Sequence, residues 1–167
     1  LALLKAGIGG GINAPSFHAA FGSKENLFKE VIEHYVVTYG QVIACLWDES
    51  LSSREAVELA LRRSANGYPK ECILVLSAST CAPEHKHVQK MLAEQRARTL
   101  EGFIASIQRA VECAEFPADA NVWAFAVSFH SFLLGLSNLE RDGILGNELD
   151  IAVTEMMGNW DIRGALV

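Results

Sequence analysis

Apolar residues recur at intervals of three and four along most of this chain, which commits it to helices packing on helices. The clearest run begins at Pro83-Glu84, where proline suits a first helical turn. Val88, Met91, Leu92, Leu100, Phe103, Ile104, Ile107, Ala110 and Val111 follow at helical spacing. A helix of about thirty residues, roughly 45 Å long, is predicted there. Upstream, Ser23 precedes Lys24-Glu25 and the apolar positions Leu27, Phe28, Val31, Ile32 and Tyr35. A serine cap with an acidic first turn starts a helix, and this one is read as continuing through Val42, Ile43 and Leu46 with a bend at Gly40. The next starts near Ser52 or Ser53, carries Val57, Leu59-Ala60-Leu61 and Ala65, and stops at Gly67-Tyr68-Pro69. Glycine there takes the left-handed closing position, and proline cannot continue the ladder. Asp119 is expected to cap a helix that ends at Asp142-Gly143. A last helix, from about Asn147 to Trp160, puts Leu149, Ala152, Val153, Met156, Met157 and Trp160 on one stripe. Only Cys72-Ile-Leu-Val-Leu76 resembles a strand, and five apolar residues cannot separate strand from buried helix. The predicted class is all-α.

Composition narrows the function. Of 167 residues, 50% are apolar and 20% charged, which excludes a disordered chain. A chain of this length buries a sizeable core without a disulfide or metal staple. The net charge of -6 argues against a surface coated in basic charge for indiscriminate nucleic-acid or membrane binding. It leaves room for a small local DNA-reading surface. Cys45, Cys72, Cys81 and Cys113 form no CxxC pair, and Leu1-Ala-Leu-Leu4 is too short for a signal sequence. Free, mostly buried thiols in a reducing compartment follow, so the expected location is cytoplasmic.

Residues 11–28 carry the functional information. Gly11 can supply a tight turn, and Asn13 caps a short helix whose first turn holds Ala14 and Pro15. Phe17 and Phe21, four apart, face inward. Ala14, Ser16, His18 and Ala20 stay nearer the outside. Gly22 closes the short helix, and Ser23 caps the next. A turn, a short helix with small exposed residues and a long following helix are what a recognition helix needs to enter a major groove.

This segment resembles the tetracycline-repressor (TetR) family of bacterial transcriptional regulators. Gly11, Ile12, Asn13, Ser16, Phe21, Ser23, Lys24, Glu25 and Leu27 match the family pattern in register with the predicted turn and caps. The resemblance implies that Ser16 and Lys24 bind phosphate oxygens, Lys24 together with the helix N-terminus behind it. It also implies that Asn13, Ala14 and Pro15 lie at the groove and read base edges. His18 stands where the family usually has a phosphate-binding tyrosine and can still donate a hydrogen bond. Phe17 replaces the usual leucine as a packing residue. Residues 1–40 would form the helix-turn-helix DNA-binding part with its connecting helix. Residues 41–167 would form the α-helical ligand-binding and dimerisation domain.

The family pattern has two helices before this turn. The ten residues Leu1–Gly10 cannot hold both, and Gly7-Ile8-Gly9-Gly10-Gly11 is too glycine-rich to be helical. The expectation is that a stretch between Leu4 and Gly11 is absent and its flanks joined, rather than that the chain was truncated. That stretch would hold basic residues, because residues 1–46 carry Lys5, Lys24 and Lys29 against Glu25, Glu30 and Glu33. The same glycines lack the third glycine, preceding strand and βαβ setting of a dinucleotide site.

Other segments favour plain structural readings. Ala120–Leu139 has no formal charge and is long enough on paper to cross a bilayer. Asn121, Ser128, His130, Ser131, Ser137 and Asn138 are costly in lipid, and no basic cluster flanks them. Such a helix is expected to pack one face in the core and the other against a second subunit, joined by the last helix in a two-fold four-helix interface. Cys81, His85 and His87 could hold a metal by residue type, yet a buried thiol and two solvated histidines account for them. No metal or cofactor is expected. The chain has no G-x-S-x-G, no H-E-x-x-H and no strand-borne nucleophile, so an enzyme is not expected. Phe103, Phe125, Phe129 and His130 are candidates for an apolar effector pocket with one polar handle, against a reading as plain core. No charged residue stands out as a ligand counter-charge.

The expected function is a homodimeric repressor that binds a palindromic operator in double-stranded DNA and is released by a small apolar effector. The alternative is a helical small-molecule-binding module without DNA binding, which the incomplete helix-turn-helix and acidic charge keep open.

Overall fold

A computed structural model describes residues 22–66 and 86–165. Among the described residues every regular element is helical, as expected. Helix α1 spans Lys24–Tyr39 and is capped by Ser23, whose side chain accepts a hydrogen bond from the Asn26 N–H at 3.1 Å. Gly40 ends it, donating its N–H to the Val36 carbonyl at 2.8 Å. A Cβ at Gly40 would collide with that same carbonyl, so glycine is what lets the chain turn here. The helix resumes as α2 (Gln41–Ala44) and tightens into a 3-10 turn at Cys45–Trp47. The bend expected at Gly40 is therefore present.

Helix α3 spans Ser53–Ala65. Its capping box is reciprocal: the Ser52 hydroxyl accepts from the Glu55 N–H, and the Glu55 carboxylate accepts from the Ser52 N–H at 2.9 Å. Helix α4 spans Lys86–Glu112 and ends as Ala114 takes a left-handed φ of 56°. The N–H groups of Glu115 and Phe116 both return to the Ala110 carbonyl. Glu115 then reaches across the fold, its carboxylate accepting from the Ser53 and Arg54 N–H groups at 3.1 and 3.2 Å. The start of α3 is thus satisfied from both near and far in sequence.

Helix α5 spans Val122–Arg141 and α6 spans Gly146–Gly164. The cap of α5 corrects the sequence reading. Asn121, not Asp119, accepts from the Ala124 N–H at 3.0 Å. The Ala120 N–H closes a turn onto the Pro117 carbonyl, which leaves Asp119 exposed outside the helix. Helix α6 also runs past Trp160 to Gly164. The expected stop at Gly67-Tyr68-Pro69, the run Cys72–Leu76 and the start at Pro83-Glu84 lie outside the described residues.

The main core joins the 3-10 turn with α3, α4, α5 and α6. Leu149, Val153, Met157 and Trp160 form the buried stripe of α6. Trp160 stacks against Phe116 at 4.4 Å and Phe129 at 5.8 Å, and Phe116 meets Phe125 at 5.0 Å. Burying each such ring is worth about 1.5–3 kcal/mol. The Ser106 hydroxyl donates to the Leu46 carbonyl at 2.9 Å and pins the 3-10 turn to α4. A separate small cluster, Ile32 and Leu92 with Phe28, Val36 and Met91, holds α1 against α4. Helix α1 therefore rests on the body through a small apolar patch.

An ion-pair ladder clamps α3 to α6. The Arg54 guanidinium donates to both Asp161 oxygens at 2.7 and 3.0 Å and to Glu58 at 2.6 Å. Glu58 also accepts from Arg62, which reaches Asp150 at 3.2 Å. The hydrogen bonds from Arg54 hold the Asp161 carboxyl below its ordinary value. A carboxylate depressed in the fold contributes stability above its unfolded pKa of ~3.9, and loses it as pH falls through the lower folded value. Asp161 is largely exposed, so the contribution belongs with the ~0–1 kcal/mol of surface pairs. Asp161→Asn should accordingly lower stability by up to about 1 kcal/mol at pH 7 and by less at about pH 3, below the unfolded pKa of ~3.9. Urea denaturation at both pH values checks this, and equal losses at both would deny the pair its role.

Candidate functional site

Lys24 is the first residue of α1, directly after the Ser23 cap. Its backbone belongs to a helix N-terminus, where free N–H groups and the helix dipole favour an anion. Asn13, Ala14, Pro15, Ser16 and His18, implied as DNA contacts, lie outside the described residues.

The aromatic candidates separate. Phe103 and Phe129 are fully buried in the main core, and Phe125 packs on Phe116. His130 lies 6.2 Å from Phe103, ring centre to ring centre, and its buried Nε2 has no hydrogen-bond partner among the described residues. Burial, aided by the positive charge of Arg96, lowers its pKa, so the imidazole is held neutral.

A cavity of about 280 Å³ opens one helical turn away from this pair. Its walls come from four places. Tyr35 and Val36 of α1, with Gly40, form one side; Val42, Ile43 and Trp47 form the next. Helix α4 contributes Gln95, Arg96, Arg98 and Thr99, and α5 contributes Leu133, Leu134, Ser137 and Glu140. None of the four aromatic candidates lines it. Phe125 instead borders a more open depression of about 620 Å³ with Pro117, Asp119, Asn121 and Ser128. Sequence reasoning missed the lining of the first cavity because apolar residues of core and cavity share one periodicity. It also found no charged residue for a ligand, whereas two arginines and one glutamate border the space. Thr99, buried at a position where the helical repeat calls for an apolar residue, was the available signal.

Cys45 is buried, its thiol hydrogen-bonded at 3.4 Å to the Val42 and Ala56 carbonyls. Burial pushes this thiol's pKa up, which makes it a packing group rather than a nucleophile. Cys81 and His85 lie outside the described residues. Among the described residues no three His, Cys, Asp or Glu side chains gather as metal ligands.

No family model matches the chain. It is similar to the HTH-type transcriptional repressor ComR of Escherichia coli K12, 26% identical over 142 residues, covering 80% of this chain and 66% of ComR. It is also similar to the repressor BdcR of the same organism, 30% identical over 100 residues, covering 57% of this chain and 51% of BdcR. The chain thus spans just under two-thirds of one curated relative and about half of the other. Among solved structures it superimposes on a cysteine-substituted form of the TetR family regulator CifR in complex with 26-bp operator DNA. The TM-score is 0.80 at 30% identity, covering 89% of this chain and 81% of CifR. A TetR regulator from Rhodococcus sp. RHA1 shares the fold at TM-score 0.59 and 24% identity, covering 91% and 82% of the two chains. These relatives are transcriptional regulators, a non-enzymatic family. With 30% identity sustained over 81% of CifR, and a helical body that superimposes on it, this chain belongs to the TetR family of transcriptional regulators.

Proposed function

We propose that the chain is a ligand-responsive transcriptional repressor, a cytoplasmic homodimer that binds a palindromic operator and leaves it when a small, largely apolar effector binds. Residues 1–40 act as the helix-turn-helix part and residues 41–167 as the effector and dimerisation domain. The observation that carries the effector half is the cavity: its wall includes both the α1–α2 joint at Gly40 and the α4–α5 body. A ligand there touches the helix that leads to the DNA-binding residues and the domain that anchors it. Helix α1 meets the body through a small apolar patch, so a shift of that helix is the cheapest response.

The dimer surface is supported by what α5 and α6 leave uncovered. Trp123 is 61% exposed, Ile151 65% and Ile162 67%. Ala124, Ser128, Ser131 and Gly135 form a small-residue stripe on the outer face of α5, and added Cβ atoms at Gly135 and Gly158 would meet open space. Such a face lets helices of a second copy approach closely. Two recognition helices must then sit about 34 Å apart to fit successive major grooves. An effector that favours another spacing needs a coupling of only about 1–3 kcal/mol to weaken binding 5–150-fold.

Lys24 and Ser16, with His18, contact phosphate in this reading, and Asn13, Ala14 and Pro15 face bases. Lys24→Ala should therefore weaken binding to every duplex and flatten the salt slope by about 0.9 for each phosphate it leaves unneutralised. Ala14→Ser or Pro15→Ala should change which sequences are preferred, by about 1–3 kcal/mol per base pair. Selection of random duplexes by the intact protein, followed by anisotropy titration at two salt concentrations, provides both readings. Uniform effects from both classes of variant would overturn the groove assignment. Failure of the folded dimer to enrich any duplex would leave a ligand-binding module.

A further inference from the structure

The polar side chains bordering the cavity are unevenly charged. Among the described residues, Arg96 and Arg98 stand against Glu140. The register of α4 against α5 shows how they are distributed. Phe103 meets His130, and the short connection at 113–121 makes the helices antiparallel neighbours. Counting back from that pair, Thr99 comes level with Leu134 and Arg98 with Gly135. Glu140 lies five residues further along, roughly 7 Å at 1.5 Å per residue. The backbone of Glu140 therefore lies nearer the level of Arg96 than of Arg98. Arg98 is exposed at the cavity edge and makes no ion pair with any described residue. Beside it Thr99 and Gln95 supply polar atoms, while Trp47, Tyr35, Val42, Ile43 and Leu133 make the remaining wall apolar.

Size sets a second limit. At about 280 Å³ the cavity lies at the small end of ligand pockets, which run from roughly 300 to 1,000 Å³. That is enough for one ring and a short polar tail. The indole of Trp47 is held edge-on against α4 at Gly102, and with Tyr35 it offers aromatic surface to a flat ligand. A cation has no such welcome, because among the described residues the two guanidiniums outnumber the one carboxylate. The field of Arg96 also reaches inward far enough to disfavour a proton on His130.

We propose that this cavity takes a small aromatic monoanion, a single ring bearing a carboxylate, with Arg98 as its counter-charge. The inference rests on the effector reading above and names the chemical class of the effector. A guanidinium pairs with a carboxylate through two parallel N–H donors, so an uncharged isostere loses a charge-assisted bond and a cationic one adds repulsion.

Isothermal titration of the intact protein with phenylacetate, phenylacetamide and phenethylammonium, which differ little except in charge, tests it. Phenylacetate should bind at least about tenfold more tightly than the amide, and the ammonium least of all. Arg98→Gln should erase the preference for the anion, and Glu140→Gln should strengthen it. Both positions border solvent, and a melting curve for each variant confirms that it is folded. Equal or better binding of the amide or the ammonium overturns the proposal, as does failure of all three to bind. An unchanged preference in folded Arg98→Gln overturns the role of that arginine. Anisotropy on the selected operator separates this inference from the regulator reading. Charge-selective binding that leaves DNA affinity unchanged would retain the ligand class and defeat the effector role.

Discussion

Trp160→Ala is expected to lower the unfolding free energy by about 3–5 kcal/mol, the range for deleting a buried large aromatic. Trp160 is 3% exposed and closes the aromatic group of Phe116, Phe125 and Phe129, which ties the α4–α5 connection and α5 to α6. Removing the indole leaves a hole among rings that are themselves fixed by one another, so the site cannot collapse to fill it. Against a total of roughly 5–15 kcal/mol, that loss takes a large share of the stability of a domain this size. Urea denaturation followed by far-ultraviolet circular dichroism measures it, since the variant loses a tryptophan signal. A loss under about 1 kcal/mol would mean that the aromatic group is loosely packed.

Gly102→Ala is the second large effect, and its sign runs against the usual rule. In a helix interior alanine is favoured over glycine by about 1 kcal/mol. At Gly102 an added Cβ would lie 2.8 Å from two ring carbons of Trp47 and 3.0 Å from a methyl of Leu46. Leu46 is fully buried and cannot give way, whereas Trp47 is half exposed and borders the cavity. The substitution should therefore cost about 1–3 kcal/mol as overpacking and displace the indole that forms a cavity wall. Thermal denaturation should show a lowered Tm. Calorimetric titration with phenylacetate should show weakened binding, while effector-free DNA affinity stays within about twofold, well under 1 kcal/mol. A variant more stable than the parent would show that α4 and the 3-10 turn are not closely packed.

Much of this protein is legible in its sequence. The cap at Ser23, the bend at Gly40, the start of α3 after Ser52 and the apolar stripe from Leu149 to Trp160 all rest on interactions spanning a few residues. Local hydrogen bonds and the 3.6-residue repeat determine such features, and both are written in consecutive side chains. The motif from Gly11 to Leu27 points to the family for the same reason: the turn, short helix and capped long helix expected from it are read from one continuous segment. The misplaced cap of α5 marks the limit of this reasoning. Asp119 and Asn121 are both good caps, and the choice between them falls to a turn in which the Ala120 N–H meets the Pro117 carbonyl.

The cavity is not legible there. Phe103, Phe125, Phe129 and His130 satisfy the same apolar pattern whether they line a space or fill one. The structure puts Phe103 and Phe129 in solid core and surrounds the space with residues drawn from α1, α2, the 3-10 turn, α4 and α5. No charged residue stands out in sequence as a ligand counter-charge, and only the placement of α5 and the α1–α2 joint beside Arg96 and Arg98 gives that charge an apolar neighbour. The sequence by itself thus determined which of the described segments are helices, where α1, α3 and α6 start, and the family to which the chain belongs. Tertiary structure alone decided which faces meet, that Glu115 caps a helix some sixty residues away, and that Gly102 must have no side chain. Helices form from interactions a few residues apart, whereas a cavity is what remains when segments distant in the chain pack together without filling the space between them.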